Sequence, residues 1–452
     1  MSELLGRDGA LALAEDALGN SAADQTEVVL QRGREMVTRF TSNFIHQNTA
    51  ESTAKVSVRA AEGKRVGWAE VTSTRKEEVR QTAARALGIA RAQSENPHFI
   101  SLPAPAPLPD VRSFYDSTAG LGPESRAELV RAVVEEARQR HCAAAGALTV
   151  VVDELAVANS QGVRAYCCGT RAQLTVVASE SSQGLSGYEL ASGFSQWTGP
   201  DIGHLDARAV AARACDKCLL GRQPVGLDPG EYAVVLEPEA VGELVAMLGW
   251  LAFSARAVQE GRSFLSEKLG HKVVDERISI WDDGTDERGI PMAFDFEGVG
   301  KRRVDLIEQG VGVGYVHDSY TAGKEGRGST GHAGPPPSEW GPMPLNMFVA
   351  EGDQSLDEMV ASTDRGVLVT RFHYVNPVKP KETVLTGMTR DGTFLIENGK
   401  VTKGIRNMRF TDSVLEMLSR VEAVGNRSEL VSAWICRAPA LKLRAMRFTS
   451  TV

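Results

Sequence analysis

Residues 24–72, DQTEVVLQRGREMVTRFTSNFIHQNTAESTAKVSVRAAEGKRVGWAEVT, set the architecture of the amino-terminal part of the chain. Within them EVVLQ (27–31), VTRFTSNFIHQN (37–48) and AKVSVRAAEGKRVGWAEV (54–71) alternate apolar and polar side chains, and glycines and polar turns separate them. Successive side chains of a strand point to opposite faces, so this period of two predicts short strands with one face buried. A helix is expected next. Thr74 and Glu77 have capping-box spacing, and Val79, Ala83, Leu87 and Ile89 then recur at roughly helical intervals to about Ala92.

Beyond that helix, PHFISLPAPAPLP (97–109) is too rich in proline for a regular helix or a central strand and reads as an extended linker. A helix is predicted from about Glu124 to Arg140, then strands near 147–158 and 162–180 joined by the turn Asn159-Ser160-Gln161-Gly162. A further helix, Ala207 to Leu220, ends near Gly221, and Leu227-Asp228-Pro229-Gly230 is a turn that introduces a long region of glycines, short strands and loops. The expected organisation is a mixed α/β unit over 1–110, a second α/β unit over 111–226, and a large, mainly antiparallel β-rich domain over 227–452. The fold class is α+β.

Bulk properties exclude several functions. A chain of 452 residues exceeds the size at which one hydrophobic core stops growing. Hydrophobic residues at 42% and charged residues at 24% are ordinary globular values. A net charge of -8 and a pI near 5.7 argue against a nucleic-acid partner, which needs clustered cations to displace counterions. Lys301-Arg302-Arg303 is too short a run to change this. The first residues carry acids and no uninterrupted apolar stretch of signal-peptide type, and no segment reaches membrane-spanning length. Six cysteines in so long a chain form no disulfide framework, so a cytoplasmic location is expected.

An ordered set of segments resembles the TldD/PmbA family of zinc metallopeptidases, known also as modulators of DNA gyrase. The segments are Thr38-Arg39-Phe40-Thr41-Ser42-Asn43 with Ile45-His46-Gln47-Asn48, Asp282-Asp283-Gly284-Thr285, Asp295-Phe296-Glu297-Gly298, and Ser329-Thr330-Gly331-His332-Ala333. Gly366 to Phe372, GTFLIENGKV (392–401) and Ala438-Pro439-Ala440-Leu441 complete it. The resemblance implies a partnership of zinc-bearing and zinc-less members in a heterodimer that admits small or unfolded peptides. It also implies a strand leading into a helix with His-Glu-x-x-x-His, where two imidazoles bind zinc and the Glu is the general base.

Here that segment reads Tyr232-Ala233-Val234-Val235-Leu236-Glu237-Pro238-Glu239-Ala240-Val241-Gly242-Glu243. Pro238 and Glu243 stand at the histidine positions and Glu239 at the general-base position. A water-activating zinc site uses three protein ligands, often histidines, and proline offers none. No metal is expected in this chain, and zinc is expected in the partner subunit. The family's third ligand is a cysteine in a glycine-rich loop near the carboxyl terminus. Cys436 is the one candidate, and its surroundings read instead as an apolar strand.

The chain is therefore expected to be a zinc-less TldE/PmbA-like member, a non-catalytic subunit paired with a zinc-bearing TldD-like subunit, or with itself when isolated. Its substrates would be peptides or a peptide-like natural-product intermediate. An independent amide hydrolase using carboxylate or histidine acid–base chemistry and a peptide-binding scaffold are the alternatives. His317, His332 and His373 lie in or near family-like segments, and with Glu243, Arg371 and Tyr374 they are the candidates for lining a substrate cleft; Arg371 suits a bidentate grip on a carboxylate.

Other signals read as structural. Cys215 and Cys218 have CxxC spacing but sit inside a predicted helix, where they share one face as small apolar residues. Cys167 and Cys168 are adjacent on a strand and point apart. Gly310, Gly312 and Gly314 continue into strand and loop, not into the helix that a dinucleotide fingerprint requires.

Overall fold

The computed structural model describes residues 4–180, 191–338, 340–432 and 435–451. It opens with a helix, α1 (Gly6–Gly19), followed by β1 (Gln25–Thr41), β2 (Phe44–Glu62), β3 (Arg65–Val71) and α2 (Lys76–Ala92). A single turn, α3 (Asp116–Ala119), precedes α4 (Pro123–Gln139), β4 (Cys142–Asn159), β5 (Arg164–Glu180), β6 (Ser192–Gly199) and α5 (Ala207–Leu220). The six strands form one antiparallel sheet in the order β3-β2-β1-β4-β5-β6. Because β1 pairs with β4, the sheet runs without a break across the proline-rich segment at 97–109, which carries no helix or strand.

Strand alternation gives this sheet two apolar faces. Val28, Leu30, Met36 and Phe40 of β1 turn toward α1, α2, α4 and α5, which bury them. Val29, Leu155 and Val157 turn the other way and meet Phe294 from the carboxyl-terminal half. The capping box expected at Thr74 and Glu77 is not formed: α2 starts at Lys76 with Arg75 as N-cap and no side-chain cap bond. Its buried stripe is Val79, Ala83, Ala86, Leu87 and Ala90, which leaves Ile89 exposed. Spacings of three and four keep a helical stripe on one side, and Ile89 falls off it.

The β1–β2 turn shows what the family-like segment around Thr38 does. Ser42 and Asn43 adopt positive φ, and Asn43 both donates to Cys142 O (2.9 Å) and accepts from Ala144 N (2.8 Å). Arg126 of α4, buried, donates to Asn48 (2.9 Å), Thr38 (3.3 Å) and Leu121 O (3.0 Å). These residues pin a hairpin to a helix. Since β3 pairs only with Val56–Glu62, the outer edge of β2 from Phe44 to Lys55 has no strand beside it among the described residues.

The carboxyl-terminal half begins with β7 (Gly230–Leu236) and α6 (Pro238–Leu251). Its remaining strands are β8 (Ile280–Asp282), β9 (Val304–Glu308), β10 (Val311–Gly312), β11 (Met347–Val349), β12 (Arg365–Lys379) and β13 (Val384–Glu397). They continue through β14 (Lys400–Gly404), β15 (Met408–Ser413), β16 (Val421–Val431) and β17 (Cys436–Thr451). The pairing path β17-β15-β13-β12-β7 returns to β17, so five strands close on themselves. Closure removes sheet edges. Among the strand pairs of the described residues, β7 with β12 and β11 with β17 are parallel and the rest antiparallel, so the mainly antiparallel architecture expected from the sequence is the one observed. The hydrophobic core is α6 packed with the inner faces of these strands.

The two halves are joined by a buried ion cluster. Arg59 on β2 lies between Glu27 of β1 (2.8 Å) and Glu297 of the carboxyl-terminal half (3.0 Å), with all three residues less than a tenth exposed. Burial, reinforced by the Glu297 charge, raises the Glu27 carboxyl to about 7 against the pull of Arg59.

Candidate functional site

The segment that would carry a metal motif is built as its sequence suggests. β7 runs directly into α6, with Glu237 as N-cap and Pro238 in the first turn, where a fixed φ and a missing N–H are tolerated. Glu237 is buried and accepts from Lys217 of α5, which ties the start of α6 to the amino-terminal half. Glu239 accepts from Gln196 Nε2 of β6 (3.1 Å), and the same amide donates to Leu430 O (3.3 Å). Burial, followed by the Glu429 charge, raises Glu239 to about 8, with Lys217 opposing. At neutral pH Glu239 is thus mostly a neutral acid. Burial also raises Glu243, against Arg371 and a backbone N–H from Phe372.

Arg371 is already occupied. Its Nε donates to Asp391 Oδ2 (3.0 Å), Nη2 donates to the same oxygen, and the guanidinium stacks over Phe194 at 4.1 Å from the ring centroid. Asp391 also accepts from Ser192 Oγ (2.7 Å). His373 and Tyr374 follow on β12, with rings 4.5 Å apart edge to face; Tyr374 is 72% exposed at positive φ. Burial lowers His373, helped by Arg390 and Arg371, so its imidazole is neutral at pH 7.

The other two histidines are buried elsewhere. His317 Nε2 lies 3.1 Å from Glu325 Oε2. His332 Nε2 meets Asp282 Oδ1 at 2.7 Å and its Nδ1 meets Thr330 O at 2.9 Å. Burial, then Lys301, lowers His332. Family-like segments converge here: Asp282 Oδ2 accepts from Asn346 N (2.7 Å), Asp295 from the amides of Glu297, Val299 and Ala333, and Lys301 donates to Gly331 O. Gly331 has positive φ, and a Cβ there would stand 2.3 Å from Gly300 O. These residues hold loops together.

The cysteines are packed. Cys436 lies in β17 beside Met347 and Val431, and burial raises its thiol. Cys215 and Cys218 face the core from α5. Among the described residues, no group of three or more His, Cys, Asp or Glu is arranged to hold a metal ion. The donor set at α6 does not fit zinc: Pro238 has no donor, Glu239 is a hydrogen-bonded neutral acid, and Cys436 is a buried thiol in a paired strand.

A second concave region was missed in the sequence. A cavity of about 610 Å³ lies between the open face of the six-stranded sheet and loops of the carboxyl-terminal half, lined by Asp153, Cys167, Arg171, Met292, Leu345 and Ile435 among others. Asp153 and Arg171 are near neighbours only through strand register: Asp153 pairs with Gly169, and Arg171 with Val151.

Comparison with known proteins agrees with this architecture. The family models for the PmbA/TldA metallopeptidase central domain and C-terminal domain match residues 116–220 and 229–450. A metalloprotease TldD homologue of Haemophilus influenzae is 24% identical over 430 residues, covering 92% of this chain and 88% of the relative. A metalloprotease of Methanocaldococcus jannaschii is 29% identical, but the match spans less than half of each protein, 44% of this chain and 45% of the relative. The crystal structure of TldE from Thermococcus kodakarensis superposes with a TM-score of 0.88 at 22% identity, over 97% of this chain and 99% of that one. The fold and matched domains define an α+β protein of metallopeptidase type. The chain belongs to the TldD/PmbA family.

Proposed function

We propose that this chain is the zinc-less, non-catalytic subunit of a TldD/TldE-type metallopeptidase and pairs with a zinc-bearing TldD-like subunit. The pair acts on small or unfolded peptides, or on a peptide-like natural-product intermediate. The observation that carries this reading is the start of α6, where Pro238 and Glu243 replace the two imidazoles and Glu239 is neutral and bonded to Gln196. A site without imidazoles or an ionised base cannot make water a nucleophile in the family's manner. The partner supplies that chemistry, and this chain shapes the chamber and holds substrate. Six free thiols suit a cytoplasmic setting.

Co-expression with a homologue bearing His-Glu-x-x-x-His tests this. The expected result is a co-purifying complex that contains zinc and cleaves peptides, while the isolated chain holds no stoichiometric zinc. Peptide hydrolysis by the isolated chain, blocked by a chelator, overturns the reading. One observation favours a second reading, an independent amide hydrolase: a carboxyl raised to about 8 is poised as a general acid. Chelator-resistant hydrolysis abolished by Glu239→Gln would select it.

A further inference from the structure

The cavity on the open face of the six-stranded sheet carries charged side chains that make no side-chain hydrogen bond among the described residues. β1, β4 and β5 bring Gly33, Asp153 and Gly169 into one row across the sheet. A Cβ at Gly169 would lie 2.9 Å from Asp153 Oδ1, and one at Gly33 would lie 3.2 Å from Asp153 Cβ. The glycines therefore clear space on both sides of the carboxylate, which is exposed to the cavity. Asp153 has no hydrogen-bond partner among the described residues apart from its own backbone amide; burial raises its carboxyl, and the Arg171 charge opposes this. Arg171, half-buried on the same face, makes no hydrogen bond or ion pair there either.

Three of the other charged residues along the cavity point away from it and one is paired. Lys55 is held by Glu70 (2.7 Å) and Pro336 O (2.8 Å). Glu154 turns to the opposite face and accepts from Leu5 and Gly6 amides. Arg32 and Arg34 alternate onto that opposite face with Leu30 and Met36. Glu35 is exposed. Two carboxylates, Asp153 and Glu35, and one guanidinium thus face the cavity: Asp153 and Arg171 hold diagonal positions on adjacent strands with Cβ atoms roughly 7 Å apart, and Glu35 lies two strands from Arg171 in the row that Val151 completes. Opposite them, Ile290, Met292, Phe296, Leu345 and Ile435 give the cavity an apolar roof.

We propose that this cavity binds a short unblocked peptide with apolar side chains, its α-ammonium on Asp153 and its α-carboxylate on Arg171. An extended residue spans about 3.3–3.6 Å, so two or three residues fit between the two charges. A volume of about 610 Å³ is within the range that encloses ligands of this size. A zwitterion matches both charges at once, whereas an internal segment of a long chain matches neither. The inference rests on the subunit reading in taking peptides as the ligand, and it narrows them to free short ones.

Calorimetric titration of the purified full chain, without a partner subunit, tests it with alanyl-leucyl-alanine in unblocked, N-acetylated and C-amidated forms. The unblocked peptide is expected to bind, and either block to weaken it at least tenfold. Asp153→Asn should impose the same loss on the unblocked peptide with no further loss for the acetylated one. Arg171→Gln should behave likewise toward the amidated form. Absence of saturable binding, equal affinity for all three forms, or variants that bind like the parent overturns the site. Because zinc and partner are absent from this measurement, such a failure leaves the co-purification experiment to decide the subunit reading separately.

Discussion

The start of α6 and the cavity on the six-stranded sheet both place charges where the two halves of the molecule meet, and they treat those charges in opposite ways. At α6, Glu237 has Lys217, Glu239 has Gln196 and Arg371 has Asp391. On the sheet, Asp153 and Arg171 have no partner side chain bonded to them, and glycines keep the space open. A charge bonded to a neighbouring side chain is accounted for by folding, while one that faces a cavity without a side-chain hydrogen bond is open to a ligand. At the start of α6 the charges tie the two halves together, and the groups without a side-chain hydrogen bond lie on the sheet.

The contrast makes ordered predictions. Its severest test is the joint itself: Arg59→Leu strands Glu27 and Glu297 in a buried site and should cost about 3–5 kcal/mol in urea unfolding. A loss below about 1 kcal/mol would mean that the cluster does not hold the halves together. Arg371→Ala leaves Asp391 without its charge-assisted bonds and should cost about 2 kcal/mol by the same measurement. If it instead weakens peptide binding at unchanged stability, Arg371 belongs with the ligand-facing groups and the contrast fails.

The carboxyls give a pH test. Glu27 at about 7 and Glu239 at about 8 both bind their proton more tightly folded than unfolded. Their contribution is full below about pH 4.5 and is lost as the pH rises through 7 and 8. Glu239→Gln should therefore flatten the decline in stability between about pH 5 and 8 by on the order of 1 kcal/mol, read from unfolding midpoints across that range. An unchanged slope would show that Glu239 is ionised in the fold. The smallest effect is expected from Asp153→Asn, within about 0.5 kcal/mol of the parent, because no packing or bond depends on that charge. A larger loss would make Asp153 structural.

Local signals in the sequence were good guides where a period or a breaker decides the outcome. The absence of regular structure in the proline-rich segment and the helices at 123–139 and 207–220 follow from spacing and from Pro and Gly placement, and the passage from β7 into α6 from the family resemblance. The helix α1 has no comparable start signal: Leu5 stands at its N-cap without a cap bond. Thr74 failed as a cap because the helix starts one residue late, after Arg75. The single sheet spanning 25–199 depends on the β1–β4 pairing, which no local pattern announces. The ties of His317 to Glu325 and of His332 to Asp282 were not legible, because a buried paired histidine has the same sequence signature as a ligand-binding one. Gly33, Asp153, Gly169 and Arg171 span more than a hundred positions, and only strand register brings them together.

The uncovered outer side of β2 bears on how this protein behaves in a tube. From Phe44 to Lys55 a run of main-chain donors and acceptors faces outward, with Phe44 at 54% exposure at its tip. Such a border templates another strand, whether from a neighbouring copy or a foreign chain. Purified by itself at high concentration, the molecule should self-associate along this border, and a proline placed within it should keep the preparation monodisperse.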